Sequence, residues 1–157
     1  MGGSAAYIPK NSTPFPFDTG EPKIFKLEED AIMNSLQQFS KKNYLNLETF
    51  RKSGVGVRTP VWFVQEAETF YVLTMAGSGK VKRIHNNGRV NIAPCKVNGT
   101  PTGTWVQAVA AVNTEAQVFN QVIRLLDKKY GLLRKLFFRD TSNQDRHDIV
   151  LEIKLVE

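Results

Sequence analysis

Short extended segments follow one another along this chain with only turns between them, and that most limits what it can fold into. Val55, Val57, Val61, Trp62, Phe63 and Val64 make one strand-forming run, with Pro60 inside it, and Thr69 to Thr74 make the next. Only Gln65 and the turn Glu66-Ala67-Glu68 lie between them, so the pair reads as an antiparallel hairpin. Pro60 brings no N–H to a ladder, which predicts an edge position or a bulge. Further strands are expected over 44–50, 89–95, 103–112 and 148–155, with turn chemistry at Lys52-Ser53-Gly54 and Asn98-Gly99-Thr100. A parallel sheet needs a crossover of a dozen or more residues between strands, which this order does not supply regularly. The expected fold is mainly β (α+β), with six strands in a closed, largely antiparallel barrel and peripheral helices.

Three segments carry helical spacing. Over 28–42, Ile32, Leu36 and Phe39 share a face, Glu28, Glu29 and Asp30 stand at the start, and Lys41 and Lys42 stand at the end. Residues 80–87 fit a two-turn helix with Gly88 as its C′ residue. Thr114-Glu115-Ala116-Gln117 has capping-box form and opens a helix to about Tyr130-Gly131, with Val118, Val122, Leu125 and Leu126 on its core face. Residues 1–26 read as a separate N-terminal arm, rich in proline but carrying Phe15 and Phe17, and 27–157 as a single domain. The arm is open to two readings, a solvated tail or a segment packed on the body or on a second subunit.

Composition narrows the function classes. The chain has 157 residues, and with 41% apolar and 23% charged residues it is globular in type. No apolar run approaches the 18 residues of a membrane span, and the N-terminus lacks a signal-peptide core, so a soluble cytoplasmic protein is expected, with no membrane partner. One cysteine, Cys95, excludes an internal disulfide, and with His85 and His147 as the only histidines no metal site is expected. The net charge of +6 favours an anionic partner. Arg124, Lys128, Lys129, Arg134, Lys135 and Arg139 cluster, but no nucleic-acid-binding motif accompanies them, and no nucleic acid is expected.

The segment with most chemical content is Gly77-Ser78-Gly79-Lys80, between a strand and a helix. Free amides at a helix start and a lysine suit a phosphate, although the spacing is neither that of a Walker A loop nor GxGxxG. By itself the segment reads more readily as an ordinary glycine turn leading to a solvent lysine. Arg58-Thr59-Pro60-Val61-Trp62 would give a flat ring a proline-bent strand to lie against, or would simply alternate between core and surface. No nucleophile–base pair or carboxylate pair stands out, so chemistry here would belong to a cofactor.

Taken in order, several segments resemble one family. They are Leu47-Glu48-Thr49-Phe50-Arg51-Lys52-Ser53-Gly54, Arg58 to Phe63, Thr74 with Ser78-Gly79-Lys80-Val81-Lys82-Arg83, Arg89 to Cys95, Pro101 to Val106, and Lys129-Tyr130-Gly131-Leu132. Over residues 43–155 the chain resembles the pyridoxamine 5'-phosphate oxidase-like superfamily of flavin- and deazaflavin-dependent oxidoreductases, and most nearly its coenzyme F-420-dependent branch. The resemblance implies an FMN-binding-like split β-barrel and a homodimer with two cofactor sites between subunits. It implies a ring lying beside Arg58, Thr59, Pro60, Val61 and Trp62, and a phosphate held by Thr74, Ser78, Gly79, Lys80 and Arg83. It brings Trp105 and Gln107 to the ring from the partner subunit. It implies an enzyme moving hydride between F-420, the first choice, or FMN and a small conjugated or heterocyclic substrate. The alternative is an FMN-binding, non-catalytic relative. Pyridoxamine phosphate oxidases carry Arg-Lys where this chain has Gly79-Lys80, so one phosphate-binding charge is missing and that activity itself is not expected.

Overall fold

The computed structural model describes residues 23–137 and 147–156, so the expected features of the N-terminal arm up to residue 22, and Arg139, lie outside the described residues. The chain runs α1 (Lys23–Gln37), β1 (Tyr44–Phe50), β2 (Gly56–Trp62), β3 (Val64–Glu66), β4 (Thr69–Met75), α2 (Gly79–Asn86), β5 (Arg89–Cys95), β6 (Val106–Asn113), α3 (Ala116–Tyr130), α4 (Leu132–Phe137) and β7 (Asp148–Leu155). All seven strands form one sheet in the order β2-β1-β5-β6-β7-β4-β3, and every pairing is antiparallel.

The two end strands of that sheet are one stretch of chain. β2 pairs with β1, β3 pairs with β4, and Phe63 alone separates them. The expected single strand through Pro60 is thus divided at Phe63, which turns the expected six strands into seven and brings the two ends of the sheet together as a split barrel. Pro60 stands opposite Asn46 on β2, an end strand of the ladder, as its missing N–H requires.

Alternation sorts the side chains. Leu45, Leu47, Phe70, Val72, Ile92, Leu151 and Ile153 point inward and are fully buried. Phe39 enters the same core, its ring edge-on to Phe63 at 6.0 Å and to Phe70 at 4.8 Å. α3 lays Val122, Leu126 and Tyr130 over the outer faces of Val64 and Val150 as a second cluster. Among the described residues the outer face of β1, β2, β5 and β6 has no such helix. The loop that follows β5 covers part of it, with the Asn46 amide donating to the Gly99 carbonyl (2.8 Å).

Several expected boundaries shift, each for a local reason. α1 occupies Lys23–Gln37 rather than 28–42, because the chain must turn at 38–41 to bring Phe39 into the core. Gln38 then clamps Thr104, accepting from its N–H (2.9 Å) and donating to its carbonyl (3.1 Å). That clamp holds the preceding loop against α1, so β6 starts at Val106 rather than Gly103, where a Cβ would fall 2.5 Å from Gln38 Oε1. α3 begins after Glu115, not at Thr114. The capping box is not made, and Asn113 Oδ1 accepts the Glu115 N–H instead (2.9 Å). α2 ends at an extended Asn87, and Gly88 is not a left-handed cap. Its carbonyl accepts the Ala110 N–H (2.8 Å), and a Cβ there would meet Ala110 O at 3.0 Å.

Candidate functional site

At one end of the barrel the last inward positions of two strands are threonines where the preceding inward positions are apolar. Thr49 follows Leu45 and Leu47 on β1, and Thr74 follows Phe70 and Val72 on β4. α2 starts four residues beyond β4 and sets two cations over them. Lys80 Nζ donates to Thr74 Oγ1 (3.1 Å), and Arg83 Nε donates to Thr49 Oγ1 (2.7 Å). Val81 and Ile84, on the other face of this short helix, are buried and anchor it to the barrel.

Neither cation has a carboxylate partner among the described residues. The described ion pairs Glu48–Arg58, Asp127–Arg134 and Glu152–Lys154 all lie elsewhere. Burial lowers the Lys80 pKa from its ordinary value, and the nearby Arg83 charge adds to the shift. Ser78 precedes the helix in extended conformation, and its Oγ is buried with no hydrogen-bond partner among the described residues. The first amides of α2 are unpaired within the helix by its own geometry. Two half-buried cations, an orphaned hydroxyl and free helix amides make an anion cradle, and a phosphate group fits its donors.

A second polar group sits on the outer face of the same sheet. Glu48 accepts from Arg58 Nε (3.0 Å) and from Asn91 Nδ2 (2.7 Å), and the Arg58 guanidinium lies 4.6 Å over the Trp105 ring. Burial acts to raise the Glu48 pKa, but the Asn91 and Arg58 hydrogen bonds and the Arg58 charge outweigh it and hold it below the usual value. Gln107 stands opposite Asn91 and lines a groove of about 510 Å³ with Phe50, Arg89 and Val109.

The expected site residues therefore fall into groups. Thr74, Ser78, Gly79, Lys80 and Arg83 come together in the cradle. Arg58 and Trp105 meet on the outer face, with Pro60 and Gln107 on that same face. Thr59 and Val61 have the inward parity of β2. Trp62 lies apart from the cradle, stacked on Tyr130 with ring centroids 4.3 Å apart and planes 5° from parallel. Trp105 rests on Arg58 of its own chain and precedes β6 rather than lying in it. Thr49, Glu48 and Asn91 were not among the expected site residues. The signal for Thr49 was a hydroxyl at core parity.

Cys95 is buried and unpaired, and burial pushes its thiol pKa up, as for an inert structural cysteine. No group of metal-ligating side chains occurs among the described residues, and no described helix is long and apolar enough to cross a membrane.

The split barrel of this chain is shared with known proteins. The family model for pyridoxamine 5'-phosphate oxidase matches residues 33–157, and the chain belongs to that family. No curated protein matches the chain. Among solved structures, the heme storage protein HutZ of Vibrio cholerae is similar at 16% identity and TM-score 0.58, covering 84% of this chain and 90% of its own. An F420 reductase is similar at 15% identity and TM-score 0.54, covering 77% and 92%. An FAD-binding protein of Mesorhizobium loti is similar at 10% identity and TM-score 0.54, covering 80% and 87%. At these identities the likeness establishes a shared fold.

Proposed function

We propose that this protein binds a phosphate-bearing deazaflavin or flavin, with coenzyme F-420 ahead of FMN, and works as an oxidoreductase on a small conjugated or heterocyclic substrate. The observation that carries this reading is the pair Lys80 and Arg83, held over Thr74 and Thr49 with no carboxylate partner among the described residues. Family membership and the similarity to an F420 reductase and an FAD-binding protein support it. When bound, such a group supplies hydride transfer. The chain itself supplies anchoring and orientation, which lower a barrier by fixing the geometry of approach.

Lys80 and Arg83 neutralise the phosphate. Arg58, fixed by Glu48 and Trp105, is a positioned cation on the face that carries Gln107. Gly79 stands where a pyridoxamine phosphate oxidase has arginine, so a substrate other than pyridoxamine phosphate is proposed. The part of the outer face of β1, β2, β5 and β6 that no described segment covers is assigned to a second copy of the chain in a cytoplasmic homodimer. Val109 and Val156 are exposed there at 44% and 40%. No nucleic acid or membrane is needed.

Fluorescence titration with F-420 and FMN tests binding, and mixing the F-420H2-loaded protein with quinone and nitro-heterocycle acceptors tests turnover. Saturable binding of one equivalent per chain with oxidation of F-420H2 is expected. Absence of binding to either compound contradicts the proposal, and binding without oxidation of F-420H2 by any acceptor leaves a non-catalytic binding protein.

A further inference from the structure

We infer that Gly79 and Thr49 place the Arg83 guanidinium in the cradle as its second cation, so that Arg83 replaces from one turn further along the helix the charge missing at position 79; this rests on the cradle being a phosphate site. An ideal Cβ built on Gly79 lies 2.8 Å from Arg83 Nη1 and 3.6 Å from its Cζ. The guanidinium thus fills the space a side chain at 79 would take. Gly79 has an ordinary backbone conformation, so a turn does not require the glycine. What the glycine leaves room for is the present position of the Arg83 guanidinium, whose flexible end would have to move for any side chain at 79.

Thr49 fixes the other end of the guanidinium. It is 1% exposed, and its Oγ1 accepts from Nε at 2.7 Å. With Nε committed, the two Nη groups keep a fixed orientation, and a planar fork held this way suits bidentate contact with a phosphate better than a lysine would. The pairing of Lys80 with Thr74 repeats the device on the neighbouring cation. A neutral hydroxyl orients each charge without cancelling it, which a carboxylate at either position would do. Thr49 is therefore a positioning residue that acts through Arg83.

The test is titration of the full chain with F-420 and FMN, using wild type, Thr49→Val, Thr49→Ser, Gly79→Ala and Lys80→Ala. Thr49→Val keeps the shape and removes the acceptor, whereas Thr49→Ser keeps the acceptor. Alanine is a good helix former, so Gly79→Ala displaces only the far end of Arg83 and leaves the helix intact. Thr49→Val and Gly79→Ala are each expected to weaken binding about 5- to 30-fold, less than the loss of a whole charged hydrogen bond because the guanidinium is misaligned rather than removed, with Gly79→Ala unchanged in its unfolding midpoint and Thr49→Ser within about twofold of wild type. Wild-type affinity in Thr49→Val and Gly79→Ala, together with weakened Lys80→Ala, overturns the inference and leaves the cradle standing. Equal loss in Thr49→Ser and Thr49→Val also overturns it. Unchanged affinity in Lys80→Ala removes the phosphate reading and the inference with it. If Thr49→Val does not fold, Gly79→Ala decides alone, since its position is exposed.

Discussion

The Tyr130 hydroxyl accepts the backbone N–H of Phe63 at 3.0 Å, at the one residue where the chain leaves β2 for β3. Here the ladder is interrupted, and a buried N–H would otherwise go unpaired. The same hydroxyl lies 2.7 Å from Asn43 O and 2.8 Å from Phe63 O. It has a single proton. Lys129 Nζ already donates to Phe63 O at 2.8 Å, so the assignment that satisfies every group has Tyr130 donating to Asn43 O. α3 thereby holds together the split in the barrel. Tyr130→Phe keeps the ring and its stack on Trp62 but orphans the Phe63 N–H. Urea unfolding is expected to show a loss of about 1–3 kcal/mol.

Lys129 gives the same latch a pH signature. The residue as a whole is exposed, but its amine is drawn against the Phe63 carbonyl and lies 3.6 Å from the Phe63 ring centroid. Burial lowers its pKa from 10.5 to about 8. Between those values the unfolded chain binds more protons at this lysine than the folded one, so its contribution makes stability rise with pH across that window. The tyrosines act in the opposite direction only near pH 10 and above, because Tyr71 and Tyr130 have raised pKa values. Unfolding measured at pH 7.5 and 9.5 should show wild type gaining on Lys129→Met at the higher pH. An identical pH dependence in the two proteins would show that this amine is freely solvated.

α3 ends at Gly131, with φ +52° and ψ −126°, a conformation that side chains resist. An added Cβ would meet nothing within 4 Å, so the whole cost of a substitution is backbone strain. Gly131→Ala should lower stability by about 1–3 kcal/mol without moving Trp62. An unchanged Trp fluorescence maximum in the folded state checks the second part.

Strand positions were legible in the sequence because alternation and turn residues agree at each hairpin. Gly54 and Gly99 both take the positive φ their turns require, +86° and +85°. What could not be read is where distant parts of the chain meet. The capping box at Thr114 competes with Asn113, whose side chain also reaches Glu152 on β7 (3.1 Å), a partner with no local signature. The end of α1 depends on Phe39 reaching Phe70. In the site, the glycine loop and Lys80 carried a local signal, whereas Thr49 lies 34 positions from Arg83 and is revealed only by the closing of the barrel. The basic cluster on α3 and α4 also proved less uniform than its sequence, since Arg134 pairs with Asp127 and Lys129 turns to Phe63.

If the cradle over Thr49 and Thr74 holds a cofactor phosphate as proposed, two lysines on one helix must differ in their effect on binding. Lys80 faces the cradle, and Lys82 is exposed, away from it. In fluorescence titrations with F-420 and FMN, Lys80→Ala should lose roughly 10- to 150-fold in affinity, the value of one charged hydrogen bond. Lys82→Ala should stay within about threefold of wild type, as for a general surface charge. Equal affinities for wild type and Lys80→Ala, or equal losses in the two variants, would show that Lys80 holds no phosphate.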